Sequence, residues 1–156
     1  MASVAWHFFH QFRENRRVRL FAGTDGYADG EQQRDFVWVD DVVEVNLFFL
    51  EHPDQHGIFN VGTGRADTFN AVAQAVIAAC DVDQDRAALE IAQLVGDGRI
   101  EYIELPENLA EKYQSFTEAD LSRLRASGYD KPFASVAHGV ADYVRRLRER
   151  LAPGAG

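Results

Sequence analysis

The residue best placed to hold an anion is Arg34, in Gln33-Arg34-Asp35-Phe36. It stands where a polar, glycine-punctuated loop (Ala22 to Gln33) enters an apolar stretch, so its guanidinium can face a cleft while Phe36 anchors below. A guanidinium so placed clamps phosphate oxygens in bidentate fashion. Position alone equally allows a plain ion pair with Asp35 or another surface carboxylate. His7 lies in an aromatic helix and reads either as a ligand contact or as a core histidine with its own partner. Tyr113, in Glu111-Lys112-Tyr113-Gln114, offers a hydroxyl to a ligand or simply a half-buried ring. Asp40 and Asp41 form a carboxylate pair of the kind used in acid–base work, but adjacent acids at a helix start also act as cap and solvated neighbour. Gly62-Thr63-Gly64 closes an apolar segment where a phosphate-cradling turn would stand, and two glycines equally make an ordinary tight turn.

These residues do not assemble a complete catalytic set, and no catalytic residue is assigned. The sequence has no G-x-G-x-x-G, no Walker-type lysine, no H-E-x-x-H and no G-x-S-x-G elbow. His52 and His56 are separated by Pro53 and followed by Gly57, which breaks any shared helical face, so no metal site is expected. The single cysteine, Cys80, excludes an intrachain disulfide and a multi-cysteine zinc site. With Lys+Arg 16 against Asp+Glu 25, the net charge of −9 argues against a nucleic-acid partner, which would need a basic surface. Only Lys112 and Lys131 are lysines; the other basic residues are arginines. No apolar run approaches the ~20 residues of a membrane span, and no signal peptide is visible. The expected compartment is the cytoplasm.

The elements that must position these residues follow from periodicity and punctuation. A first helix is expected over Ala2 to Asn15, ended by Arg16-Arg17. Val18-Arg19-Leu20-Phe21 alternates like a short strand. Arg34 to Val39 reads as a strand, Asp40 or Asp41 caps a helix to about Glu51, and Pro53 stops it. Gly57 to Val61 reads as a second strand, so residues 34–61 form an expected βαβ unit with parallel pairing. A helix over Thr68 to Cys80 follows, then a polar connection from Asp81 to Arg86, a weaker helix from Ala87 to Val95 and a strand from Arg99 to Leu105. Thr117-Glu118-Ala119-Asp120 resembles a capping box opening a helix that Gly128 closes. A last amphipathic helix runs from Ser135 to Leu151. The fold class is α/β, residues 1–151 forming the ordered part and 152–156 a disordered tail. The helices over 2–15 and 40–51 are apolar nearly all round, which demands burial on several sides. Two short strands cannot provide it, because parallel sheets are normally broader and covered on both faces. The chain therefore reads as part of a larger fold or half of a tight oligomer.

Together, Met1-Ala2-Ser3-Val4-Ala5-Trp6-His7, Arg34-Asp35-Phe36-Val37-Trp38-Val39-Asp40-Asp41-Val42, Gly57-Ile58-Phe59-Asn60-Val61-Gly62-Thr63-Gly64 and Lys112-Tyr113-Gln114-Ser115-Phe116-Thr117 resemble a known pattern. It is that of the carboxyl-terminal half of the ADP-L-glycero-D-manno-heptose 6-epimerases, within the extended short-chain dehydrogenase/reductase enzymes. Ile100-Glu101-Tyr102-Ile103 and Ala126-Ser127-Gly128-Tyr129-Asp130-Lys131-Pro132-Phe133 continue the resemblance over almost the whole chain. It implies an isomerase acting at C6″ of an ADP-activated heptose for lipopolysaccharide core synthesis, with NADP as hydride acceptor and donor. The family's glycine-rich cofactor motif and its Tyr and Lys acid–base residues would precede Met1, so this chain alone is expected to be inactive.

The same resemblance implies a fold of the last βαβ of a Rossmann-type sheet (residues 34–64) with a small substrate-binding α/β domain. It further implies substrate contacts from His7, Phe21, Ala22, Gly23, Thr24, Arg34 and Tyr113, those of Ala22 and Gly23 mainly through backbone. Expected partners are the nucleotide sugar and other protein copies, by homo-oligomerisation or association through exposed helices 2–15 and 40–51. Two other readings are kept: another nucleotide-sugar epimerase or dehydratase of the superfamily, and a non-catalytic nucleotide- or protein-binding domain.

Overall fold

The computed structural model describes residues 3–81, 90–110 and 113–151. The expected helix start at Ala2, the connection beyond Asp81, the first residues of the helix expected from Ala87, Lys112 and the tail 152–156 lie outside them. Chain order is α1 (Val4–Asn15), β1 (Val18–Phe21), β2 (Gln33–Arg34), α2 (Val39–Glu51), β3 (Asp67–Thr68), α3 (Phe69–Cys80), α4 (Ile91–Gly96), β4 (Ile100–Ile103), α5 (Glu107–Ala110), α6 (Ser122–Ala126) and α7 (Val136–Leu151). The α/β class is as expected.

The main core forms around α3, whose sequence FNAVAQAVIAAC is apolar on most of its circumference. α1 packs on one side of it and α7 on another, with the β1–β4 pair beside them. Phe12, Val18, Val72, Val76, Ile77, Leu94 and Val144 are buried at its centre. α1 and α3 start where a small hydroxyl residue satisfies orphan amides: Ser3 Oγ accepts from Trp6 N at 3.2 Å, and Thr68 Oγ1 from Ala71 N at 3.0 Å. α1 stops at Arg16, which turns left-handed at φ 55° and donates its N–H to Phe12 O at 2.9 Å. β1 and β4 pair in parallel, Val18 opposite Ile100 through Phe21 opposite Ile103. β2 and β3 pair antiparallel, Gln33 opposite Thr68 and Arg34 opposite Asp67.

At the carboxyl-terminal ends of α1 and α3, Arg16 and Arg99 both hold Asp81, and both guanidinium groups lie over the Phe12 ring, at 4.5 and 5.8 Å from its centroid. Burial alone would raise the Asp81 carboxyl, but the two arginines hold it below the ordinary range. A carboxyl depressed in the folded state stabilises the fold above its unfolded value of about 4, and that contribution disappears as pH falls through the folded-state value. We therefore expect Asp81→Asn to cost about 1 kcal/mol at neutral pH. The gap from the unaltered chain should close below pH about 4 in thermal melts taken across pH.

Several expectations require correction. Neither Asp40 nor Asp41 caps α2: Trp38 is the cap residue, without a side-chain bond, and both acids lie in the first turn. Their carboxylates serve tertiary contacts instead, Asp40 with Arg146 and Asp41 with Ala134 N at 2.9 Å. The capping box at Thr117 does not form, because its members are engaged elsewhere. Thr117 N bonds Gln33 O, Glu118 accepts from Ala66 N and Ala119 N donates to Asp35. The helix begins only at Ser122, whose N–H donates to Asp120 Oδ1 at 2.8 Å.

The parallel pairing expected between Arg34–Val39 and Gly57–Val61 is also not made among the described residues. Only Gln33–Arg34 joins a ladder, and residues 57–61 run without strand partners, since a parallel strand forms only against a neighbour and the parallel partner of β1 is β4. Lastly, α1 is not a bare apolar helix: Phe8, Phe9 and Phe12 are at most 5% exposed in the chain's own core. α2 is the half-covered one. Val45, Phe48 and Phe49 pack on Leu124, Tyr129 and Phe133. Val39, Val43, Leu47 and Leu50 remain 45–77% exposed along one stripe.

Candidate functional site

Arg34 ends β2 half-buried between two rings. Its guanidinium carbon lies 5.5 Å from the Tyr113 ring centroid and 5.9 Å from that of Phe69. Phe21, the last residue of β1, meets Tyr113 edge-on at 5.7 Å. Phe36 meets Phe69 edge-on at 5.5 Å and ties this aromatic wall to the core. Nη1 of Arg34 donates to Gln33 O at 2.9 Å, and among the described residues no carboxylate pairs with the guanidinium. The ion pair with Asp35 is thus not formed, because residues 34 and 35 of an extended chain face opposite ways. A half-buried guanidinium facing aromatic rings, its remaining donors without a carboxylate, has the donors and geometry that an external anion requires.

Tyr113 reaches Arg34 because two ties hold its segment. Ser115 O accepts from Gln33 N at 2.9 Å, and Ser115 Oγ donates to Asp25, which stands at φ 53° in the loop after β1. Burial pushes the Tyr113 phenol above its ordinary range, and Arg34 opposes this. The hydroxyl is accordingly protonated at neutral pH, a donor for a ligand oxygen.

The loop of residues 22–33 is moulded by a buried amide. Asn70, the second residue of α3, donates through Nδ2 to Asp29 O at 2.9 Å and to Glu31, and accepts from Tyr102 Oη at 3.0 Å. Gly30, at φ 69°, lies directly against it: a Cβ there would sit 2.3 Å from Asn70 Oδ1. Gln32 Nε2 donates to Ala22 O at 2.7 Å, Ala22 N bonds Ile103 O, and Gly23 N donates to Asp29 Oδ1 at 2.7 Å. Ala22 N, Ala22 O and Gly23 N, among the backbone groups expected to contact substrate, are thus engaged within the protein. Gly23 has a packing reason instead, since a Cβ there would meet Tyr27 O at 2.2 Å. Thr24, half-buried, accepts from Tyr27 N through its carbonyl at 3.0 Å.

The structure thus gathers Phe21, Arg34 and Tyr113 and runs the Ala22–Thr24 segment on from Phe21. His7 stands apart, exposed on α1 with its ring edge-on to Trp6 at 5.1 Å. Phe69, Asn70, Gln32 and Ser115 were missed by sequence reasoning. Only Asn70 leaves a signal there, as a polar residue in an apolar helix. No group of acidic, histidine or cysteine side chains among the described residues is arranged to hold a metal.

Residues 1–62 match the model of the NAD dependent epimerase/dehydratase family. The fold is that of nucleotide-sugar epimerase structures. It superposes on the UDP-N-acetylglucosamine 4-epimerase from Methanobrevibacter ruminantium, solved with UDP-N-acetylmuramic acid, with a TM-score of 0.70 at 17% identity, covering 96% of this chain and 40% of that one.

One enzyme matches in sequence over nearly the whole length. The chain is 54% identical over 147 residues to the ADP-L-glycero-D-manno-heptose-6-epimerase of Thiobacillus denitrificans, covering 94% of this chain and 44% of that protein. The Helicobacter pylori enzyme of the same name superposes with a TM-score of 0.62 at 22% identity, over 93% of this chain and 37% of that one. The expected resemblance is borne out, and the chain spans less than half the length of these relatives.

Proposed function

We propose that this chain supplies the substrate-gripping, carboxyl-terminal portion of an ADP-L-glycero-D-manno-heptose 6-epimerase, an isomerase inverting C6″ of ADP-heptose for lipopolysaccharide core synthesis in the cytoplasm. The observation that carries the reading is Arg34: half-buried, framed by Phe69 and Tyr113, and paired with no described carboxylate. The guanidinium takes the diphosphate, Tyr113 offers its protonated hydroxyl to the same ligand, and Phe21 with the loop to Thr24 borders the nucleotide. His7, on its separate exposed face, is a substrate contact by resemblance alone. The 54% identity to a heptose epimerase favours this over other nucleotide-sugar enzymes of the superfamily.

NADP is the proposed cofactor of the whole enzyme, supplying hydride acceptance and return. Most of its site lies outside this chain. The sequence carries no dinucleotide fingerprint, and the Gly62-Thr63-Gly64 turn directs its amides at Asp35 rather than outward. The glycine-rich cofactor motif and the acid–base residues are assigned by resemblance to the length of the relatives that this sequence does not span. We expect the purified chain neither to retain NADP nor to epimerise ADP-heptose; turnover with added NADP would overturn the division.

The occupant of the α2 stripe follows from length. Relatives more than twice as long provide a second portion, and parallel sheets are covered on both faces by helices such as α2. The stripe continues into an apolar groove of about 580 Å³ bordered by Val37, Trp38, Val39, Val140 and Tyr143. That surface docks the remaining portion, residues 34–64 lying against its sheet. In the isolated chain the same face drives self-association. Sedimentation equilibrium should show association that the double substitution Val43→Asp and Leu50→Asp weakens at least tenfold. A monomeric chain would contradict the assignment.

A further inference from the structure

The Asp35 carboxylate is surrounded by donors from two distant segments. Oδ1 accepts from Thr63 N and from Thr63 Oγ1, both at 2.7 Å, and Oδ2 accepts from Gly64 N at 2.9 Å and Ala119 N at 3.1 Å. The Asp35 backbone N–H donates in turn to Thr117 O at 2.8 Å. The glycines of the turn are there for this carboxylate. A Cβ on Gly62 would sit 2.6 Å from both Asp35 Oδ2 and Ala119 Cβ, and Gly64 adopts φ 69°. A turn that presents successive amides to one anion is a nest, and here the protein's own side chain fills it.

We propose that Asp35 is a positioning residue for the phosphate site, fixing the aim of Arg34 through the Gly62–Gly64 nest. The inference rests on the phosphate reading of Arg34 given above. An extended chain alternates its side chains between faces, so anchoring Asp35 on one face fixes Arg34 on the other. The backbone bond to Thr117 O and the carboxylate bond to Ala119 N hold the segment that follows Tyr113 and Ser115, so Asp35 helps keep the Tyr113 ring beside the guanidinium. The anchor uses charge as well as shape. A carboxylate accepts at all four positions, whereas an asparagine amide turns an N–H₂ toward donors on one side.

Isothermal titration of the chain with ADP and with adenosine tests this. Asp35→Asn should weaken ADP binding about tenfold while leaving adenosine binding unchanged, because only the phosphates meet Arg34. In an Arg34→Ala background the same substitution should have no further effect on ADP, the signature of two residues acting as one unit. Should Asp35→Asn fail to fold, Thr63→Val removes one donor to the carboxylate and the acceptor of Arg65 N while keeping the Thr63 and Gly64 amides on Asp35, and should weaken ADP about threefold with adenosine unchanged. Equal losses for ADP and adenosine, or additive losses in the double variant, would overturn the positioning role while leaving Arg34 as phosphate ligand. If Arg34→Ala does not weaken ADP binding, the phosphate reading itself falls, and the positioning role with it.

Discussion

Replacing Arg34 by alanine should weaken ADP binding about 100-fold in isothermal titration, a loss of about 2.7 kcal/mol. The size follows from the surroundings. The guanidinium is half-buried against Tyr113 and Phe69, so water competes poorly for the phosphate it holds, and its fork matches two phosphate oxygens at once. Arg34→Lys keeps the charge and loses the fork and the stacking surface, so about a tenfold loss is expected. Stability should change little in either variant, because the lost contact with the rings is worth about 1 kcal/mol at most. A 100-fold loss accompanied by a large drop in melting temperature would point to a structural arginine instead.

The second large effect is on the fold of the loop that borders the site. Asn70→Ala should destabilise the chain by about 3 kcal/mol and lower Tm by about 6–12 °C. The side chain is 3% exposed and bonds Asp29 O, Glu31 and Tyr102 Oη at once. Its removal leaves the Asp29 carbonyl and the Tyr102 hydroxyl without their partner in a half-buried region, and opens a void under Gly30. Burial already raises the Tyr102 phenol above its ordinary range, so the hydroxyl cannot ionise to escape. Tyr102→Phe removes only one of these bonds and should cost about 1 kcal/mol. ADP affinity should fall with Asn70→Ala, since residues 22–33 lose their mould, and stay near normal in Tyr102→Phe. Equal stability of the two variants in thermal melts would contradict Asn70 as the hub.

The sequence made the helices legible and the connections between them obscure. α1, α3 and α7 carry strong apolar periodicity or continuous apolar surface, and their ends fall within two residues of the expected positions. Val18–Phe21 and the Ile100 region were also readable as strands, though not as partners of each other, since nothing local encodes a pairing across some 80 residues. The segment from Arg34 to Val61 misled because strand-like composition records what a residue prefers against a neighbour. Val37 and Val39 read as sheet residues, yet lie 37% and 54% exposed with no strand beside them.

At the site, Arg34 was visible from its position at a loop-to-apolar boundary, but whether Asp35 would pair with it or turn elsewhere was not. That choice depends on Thr63, Gly64 and Ala119 drawing Asp35 away, contacts 28 to 84 residues distant in sequence. Asp40 and Asp41 failed as caps for the same kind of reason: Arg146 and Ala134 N claim them across the fold. The Gly62-Thr63-Gly64 turn resembled a phosphate cradle and is one in form, but it holds a carboxylate of the chain.

The division of labour also explains the −9 charge beside an anion site. Among the described residues several arginines are committed to carboxylates within the fold, Arg16 and Arg99 to Asp81, Arg17 and Arg19 to Glu101, Arg146 to Asp40 and Asp142. Arg34 is left facing the aromatic wall with no described carboxylate. An acidic surface disfavours long polyanions and still admits a diphosphate at a half-buried guanidinium.

The central claim is that this chain grips the ADP portion of a nucleotide sugar at Arg34. Its most direct test is isothermal titration of the 156-residue chain with ADP and with UDP. Saturable binding of ADP, at least tenfold tighter than UDP and lost in Arg34→Ala, is the predicted result. Equal affinity for the two nucleotides, or none for either alongside robust self-association, would contradict it.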